Sequence, residues 1–205
     1  MENEKKIPVL TLLLTGINVL VYIYIEWKGS SYDAEFMLQM GASSESLIVE
    51  GHEIYRLVTH FFLHFGFEHL VNNMLSLLVL GYAIEGVLGR VRFFLLYFLS
   101  GILAGVTSIV YNVSIVHEDT VSCGASGAIY GLTGALLCLL ILGNRNRQRK
   151  TTEVPRYLLF IALSLYSGSQ DPTIDNAAHI GGFIAGFVIC LIMTRTKQME
   201  VTYES

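Results

Sequence analysis

Three short stretches set reactive or hydrogen-bonding side chains into apolar sequence: FEHLVNN (67–73), GASGAIYG (124–131) and AHIGG (178–182). A serine beside a histidine is a minimal set for acyl transfer. The imidazole, neutral near pH 7, takes the hydroxyl proton during attack and returns it to the leaving amine. Ser126 and His179 supply those two groups. His69 and Asn73 are four residues apart, hence on one face of a helix, and their side chains can join the Ser126 backbone N–H in stabilising a tetrahedral oxyanion. Loss of one such donor typically raises the barrier by ~2.7–4 kcal/mol. Asn72 is the neighbouring amide, but it points about 100° away from Asn73, which makes Asn73 the expected donor.

Each residue also has a plainer reading. Taken alone, Ser126 is more simply a packing residue, because Gly127, Gly131, Gly134 and Ala135 give the small-xxx-small spacing that lets membrane helices approach. A glycine-lined helix head suits both roles, since it also admits a substrate backbone and leaves N–H groups for an anion. The soluble hydrolase elbow G-x-S-x-G is not matched, because Ala128 stands two residues after Ser126; the pattern here is G-x-S-G. His179 alone reads as a relay, a ligand or a satisfied polar group, and ionisable residues inside a span are functional suspects by default. Tyr130 lies one turn past Ser126 on the same face. It reads either as a packed aromatic or as a residue that holds the imidazole by stacking and through its hydroxyl. Asp175 reads as a helix N-cap or loop residue, and Glu85 belongs near the far end of its apolar segment, which leaves a dyad rather than a triad.

The elements that must position these residues are membrane spans. The 205 residues are 53% hydrophobic and only 15% charged, with a mean hydropathy of +0.54, far from the ~25% charge of soluble domains. A span needs about 20 largely apolar residues, and six such segments are expected at about 7–26, 68–88, 92–112, 125–143, 155–169 and 176–194. The expectation is therefore an all-α polytopic membrane protein in one domain, 1–205. The fifth segment is the shortest, contains Ser164 and Ser167, and suggests a tilted or loosely packed helix. The first segment follows Lys5 and Lys6 but has no small-residue cleavage site after it, which favours a span over a signal peptide. The three cysteines fit neither a disulfide framework nor a metal site, and neither a cofactor nor a nucleic-acid partner is expected.

Of the 13 Lys and Arg, all but Lys28 and Arg56 fall on one side of a six-span arrangement. The positive-inside rule then puts both termini in the cytoplasm, and spans two, four and six run from outside to inside. That direction matters for the site: His69 and Asn73 begin span two, Ser126 begins span four and His179 begins span six, so all share one level in the outer leaflet. Gly182 and Gly186 give span six a G-x-x-x-G face to press on the glycines of span four. Matching depth, direction and small-residue faces raise a Ser126–His179 pair above coincidence. The connection at 27–67 is too long for a helix hairpin and mixes aromatics with His60 and His64, so short interfacial helices are expected there. The basic stretch GNRNRQRK reads as a topology anchor.

These residues resemble the rhomboid family of intramembrane serine proteases, in its minimal six-span bacterial form. The carriers are YRLVTHFFLHFGFEHLVNN, AIEGVLGRVRF, GASGAIYG and DNAAHIGGFIAGF, between about 50 and 190. The resemblance implies Ser126 as nucleophile, His179 as general base and acid, and His69, Asn73 and the Ser126 N–H as the oxyanion site. It further implies supporting roles for Gly124, Gly127, Gly182, Tyr130 and Arg56. The usual Trp-Arg pair of the first loop is Tyr55-Arg56 here, and Glu85, Gly89 and Phe93 match the family spacing at the cytoplasmic turn. It implies cleavage of single-span membrane proteins within or beside their transmembrane segments, in a bacterial cytoplasmic membrane, with the active site opening outward. Span five and the loop at 168–174 are expected to act as gate and cap, and no soluble domain is expected before span one. Two rivals remain: a catalytically inactive relative that binds client membrane helices, and a small transporter, for which midplane charges or broken helices are expected. The sequence leaves the oligomeric state open.

Overall fold

The computed structural model describes residues 7–117, 119–142, 147–171 and 173–203, with side chains over 7–117, 119–142, 153–171 and 173–195. Lys5, Lys6, the loop at 143–146 and the charged side chains of 147–150 and Lys197, which carry much of the topology argument, lie outside these described residues. Nine α-helices are described: α1 (Val9–Lys28), α2 (Ala34–Gln39), α3 (Glu45–Val49), α4 (Arg56–Thr59), α5 (Gly66–Leu88), α6 (Arg90–Tyr111), α7 (Ser126–Leu142), α8 (Arg147–Ser169) and α9 (Asn176–Tyr203). The chain is an all-helical integral membrane protein. Four helices are long and apolar enough to cross a membrane, namely α1, α5, α6 with its extension to Val116, and α9 as far as Arg195. The fifth apolar helix, α7, has only 17 residues.

α5 and α6 bury stripes at helical spacing, Leu70, Asn73, Met74, Leu77, Gly81, Ile84 and Glu85 on the first and Phe93, Leu96, Tyr97, Ser100, Gly101, Ala104, Gly105 and Ser108 on the second. Gly89, at φ +81°, makes the tight turn between them. α7 is apolar on every side and touches α5, α6, α8 and α9, as expected of a helix surrounded by protein. Glu85, expected near the far end of its apolar segment, lies in the last turn of α5. Its carboxylate accepts from the N–H groups of Leu10 and Thr11, at 3.1 and 2.8 Å, and from the Thr11 hydroxyl at 2.8 Å. The end of α5 thereby caps the start of α1, whose first N–H groups have no intrahelical acceptors.

The connection after α1 is helical, as expected, and short N-caps define its pieces. Asp33 accepts from the N–H groups of Glu35 and Phe36, and Ser44 from Leu47. A 3₁₀ turn, His60–Phe62, follows α4.

Two expectations need correction. α8 starts at Arg147, eight residues before the expected boundary, and carries Pro155 inside it. The polar run RQRKTTE breaks the apolar pattern, but Arg, Gln, Lys and Glu are good helix formers, and α8 continues through Pro155 although that residue has no N–H to give the turn before it. The basic stretch is thus partly the first turns of α8 rather than a loop. The connection after span three is likewise partly helical, because α6 is prolonged by a π-helical segment, Asn112–Val116, that ends on a left-handed His117.

Candidate active site

Ser126 is the first residue of α7 and His179 lies in the first turn of α9. The His179 Nε2 is 3.0 Å from the Ser126 Oγ. The expected glycine contact between these helices is present, and its detail is sharper than the sequence pattern. A Cβ on Gly182 would lie 2.1 Å from the Gly127 carbonyl oxygen, one on Gly186 1.9 Å from that of Gly131, and one on Gly134 2.0 Å from that of Phe183. The two backbones touch. The bare faces of Gly127 and Gly131, by contrast, turn toward α6, where a Cβ would meet Ala104 Cβ at 2.7 Å and the Ser100 side chain. Gly127 and Gly131 thus meet α9 through their backbone, as expected, and α6 on their bare faces. A third helix shares the contact, and the small-residue run SGILAGVTS on α6 was the overlooked signal.

The Tyr130 ring stacks on the His179 ring, with centroids 4.1 Å apart and planes 14° apart. Its hydroxyl does not hold the imidazole, because it pairs with the Ser164 hydroxyl of α8 at 2.6 Å. His179 Nδ1 is buried and has no hydrogen-bonding partner among the described residues, so no described carboxylate completes a triad. Asp175 is an N-cap, as expected, accepting from the Ala178 N–H at 2.8 Å.

Gly124 stands between the two halves of the site. Its φ is +138°, a region L side chains rarely adopt, and a Cβ there would lie 2.9 Å from His69 Nε2 and 3.8 Å from Ser126 Oγ. His69 thus shares one small volume with the serine. Asn73 is buried beneath it and donates one amide proton to the His69 carbonyl at 3.0 Å, which leaves the second proton for another acceptor. Asn72 faces away, lining a shallow cleft of about 300 Å³ with Phe67, Glu68 and Val71.

Sequence reasoning missed the residues that hold this geometry from below. The His60 carbonyl accepts from the Gly124 N–H at 2.9 Å. Its ring Nδ1 lies 2.6 Å from the Arg56 carbonyl, and since a carbonyl only accepts, Nδ1 carries the proton. His64 Nε2 accepts from the Ala125 N–H at 3.5 Å, and its ring meets that of His69 edge to face at 5.2 Å. Burial holds both imidazoles neutral, pushing the His60 pKa down and that of His64 down to about 3. The spacing His60, His64, His69 was visible; the N–H groups of Gly124 and Ala125 that His60 and His64 accept from, some 60 residues downstream, were not. Arg56 is buried and donates to the carbonyls of Leu38 and Ala42, both at 2.7 Å, and to Glu53 at 2.7 Å. It ties the first loop together rather than facing the serine.

Beside the dyad is a cleft of about 440 Å³ between α7, α8 and α9, lined by Tyr130, Phe160, Leu163, Ser164, Ser167, Gly168, Ile174 and His179. No cluster of three or more His, Cys, Asp or Glu side chains suited to a metal occurs among the described residues.

A family model described as Rhomboid domain matches residues 51–196. Rhomboid protease GluP of Bacillus subtilis (strain 168) is 37% identical over 186 residues, covering 91% of this chain and 34% of its own length. RHOMBOID-like protein 5 of Arabidopsis thaliana is 40% identical over 160 residues, covering 78% of this chain and 50% of its own. RHOMBOID-like protein 1 of the same plant is 38% identical over 151 residues, covering 74% and 37% respectively. The chain spans between about a third and a half of the length of these relatives.

Proposed function

The chain belongs to the rhomboid family, and from that premise we propose that it is an intramembrane serine endopeptidase using Ser126 and His179. The observation that carries the proposal is the 3.0 Å contact between the Ser126 Oγ and the His179 Nε2, made across two helices whose backbones touch. The name of the Bacillus relative, a rhomboid protease, agrees with it.

In the proposed reaction the Ser126 Oγ attacks a peptide carbonyl and His179 Nε2 takes its proton. The oxyanion is met by the Ser126 N–H, unpaired because it opens a helix, with His69 and the second amide proton of Asn73 as side-chain donors. Collapse of the tetrahedral intermediate expels the amine, which receives the proton from His179. Water then attacks the acyl-enzyme by the same route, with His179 again as base. Tyr130 keeps the imidazole plane from turning by stacking on one face.

The substrate class follows from where the site lies. A transmembrane helix hides its peptide bonds behind intrahelical hydrogen bonds, so a segment must unwind to reach Ser126, and small or helix-breaking residues lower that cost. Lipid supplies neither water nor partners for the unwound backbone, whereas the polar groups around Gly124 and the cleft beside α8 supply both. Single-span membrane proteins cut within or next to their span are the proposed substrates. The charge distribution of the sequence supports cytoplasmic termini and a site that opens to the outer face, and the resemblance implies a bacterial cytoplasmic membrane.

The test is reconstitution of the full chain with a labelled single-span substrate. Wild type should cleave, Ser126→Ala and His179→Ala should not, and a fluorophosphonate probe should label wild type but not Ser126→Ala. Equal cleavage by all three would refute the serine mechanism; no cleavage by wild type across a panel of spans would favour an inactive, client-binding relative.

A further inference from the structure

We propose that Asp175 is a positioning residue for the dyad, one that sets the axial register of α9 against α7 without touching the imidazole; this rests on the protease reading. Its carboxylate joins three segments. Oδ1 accepts from the Ala178 N–H at 2.8 Å, closing the first turn of α9. Oδ2 accepts from the Ser108 hydroxyl of α6 at 2.5 Å and from the Ser122 hydroxyl at 3.2 Å. Ser122 belongs to the segment leading to Ser126, and that segment is fixed independently: Ser122 and Ser43 exchange backbone hydrogen bonds at 2.9 Å each way, and the Gly124 N–H is held by His60.

The need for such a residue comes from the way the helices pack. The contacts of Gly182 with Gly127 and of Gly186 with Gly131 fix how closely α7 and α9 approach, but a stripe without side chains offers few interlocking knobs against sliding along the axis. A slip of one residue's rise, about 1.5 Å, would carry the imidazole out of hydrogen-bonding reach of Ser126. The register therefore needs a fixed point near the site. Asp175 is one turn from His179 and binds both the helix beside it and the strand-like run that delivers the serine. An ordinary N-cap makes only the Ala178 contact; the two serine hydroxyls are what distinguish this carboxylate. The carboxylate makes no hydrogen bond to the imidazole, whose Nδ1 has no hydrogen-bonding partner among the described residues.

The experiment uses the full chain in proteoliposomes with a labelled single-span substrate and a fluorophosphonate probe. Asp175→Ala should lower kcat by about 30-fold or more with KM within about twofold, and slow labelling of Ser126 by a similar factor, in line with the cost of a misplacement near 1 Å. Asp175→Asn should recover to within about fivefold of wild type, because its oxygen still caps α9 and its amide can donate to hydroxyls that turn their protons away. The double variant Ser108→Ala/Ser122→Ala leaves the cap intact and should lose about tenfold in kcat at an unchanged melting temperature; adding Asp175→Ala should not multiply that loss. If Asp175→Ala does not fold, the double serine variant decides. Wild-type kcat in the double serine variant, or an Asp175→Ala loss confined to KM or to melting temperature, would overturn the proposal. Ser126→Ala separates the two readings: if it still cleaves, the protease assignment fails whatever Asp175 does, whereas an inert Ser126→Ala beside an unimpaired double serine variant defeats this inference alone.

Discussion

Gly182→Ala puts the smallest possible side chain at the point where α9 touches α7. The new Cβ would stand 2.1 Å from the Gly127 carbonyl oxygen, 3.0 Å from its carbon and 3.3 Å from Ala104 Cβ. The first two neighbours are backbone, which cannot rotate away, so α9 must retreat by roughly 1 Å to restore even a tight contact of 3.0 Å. Gly182 is three residues, about 4.5 Å of helix rise, from His179, so most of that retreat reaches the imidazole. The Ser126–His179 distance of 3.0 Å becomes close to 4 Å, beyond a hydrogen bond. The expected result is a fall in kcat of about 10²-fold, with overpacking costing about 1–3 kcal/mol of stability. Cleavage of a reconstituted substrate and the rate of fluorophosphonate labelling read the first effect, and thermal unfolding reads the second. Gly86→Ala is the control, because nothing lies within 4 Å of its Cβ; Gly86 lies in the last turn of α5, and alanine there should be neutral or stabilising by at most about 0.5–1 kcal/mol. Wild-type kcat in folded Gly182→Ala would refute the idea that backbone contact sets the dyad distance.

Asn73→Ala should slow turnover by about 10²-fold or more, and Asn72→Ala hardly at all; the reverse order in a kcat comparison would mean that the wrong amide has been assigned. Tyr130→Phe keeps the stacked ring and loses only the Ser164 contact, so its kcat should match that of Ser164→Ala, within about threefold of wild type, while Tyr130→Leu should lose tenfold or more. Equal losses in Tyr130→Phe and Tyr130→Leu would count against stacking as its main role. Stability should fall on acidification: His64 titrates at about 3 in the folded protein against about 6.5 unfolded, so its contribution is complete above pH 6.5 and is lost as pH drops toward 3. Between pH 7 and 5 that amounts to about 2 kcal/mol, with His60 adding in the same direction. Melting curves of His64→Gln should be flatter over this range, and an unchanged slope would remove His64 as the cause.

The spans were legible because lipid leaves helices no alternative, and the site residues were legible because polar groups in such spans are costly. What was not legible depended on partners distant in sequence. Tyr130 announces a hydroxyl, but that its partner is Ser164 rather than His179 follows from how α8 leans on α7. His60 and His64 announce imidazoles, yet their work is to hold Gly124 and Ala125, whose approach the first loop determines. The glycine stripe predicted a close contact between α7 and α9 and was silent on α6 wedging into the same surface through Ser100 and Ala104. The polar start of α8 was lost for a different reason: hydropathy separates apolar from polar segments and cannot distinguish a polar helix from a loop.

The two sides of the site are held very differently, and the contrast bears on how a substrate enters. On one side Arg56, His60 and His64 occupy backbone groups that would otherwise be buried without partners, so each bond there is expensive to break. Glycine contacts at backbone distance hold α7 close to α9. On the other side α8 presents Leu158, Leu159, Phe160, Leu163 and Tyr166 outward and buries a single large side chain, Ile161, among its described residues. Its polar ties include Tyr157 to the Thr133 carbonyl at 3.1 Å, Ser164 to Tyr130 at 2.6 Å and the Leu165 carbonyl to Asn176 at 3.2 Å. Each of these is worth only about 0.5–1.5 kcal/mol. A substrate span that replaced the apolar contacts of α8 with its own would also release the Tyr130 hydroxyl, while the ring stayed stacked on His179. In the proposed protease, entry past α8 would leave the dyad assembled, so that the bond meets a serine already paired with its base.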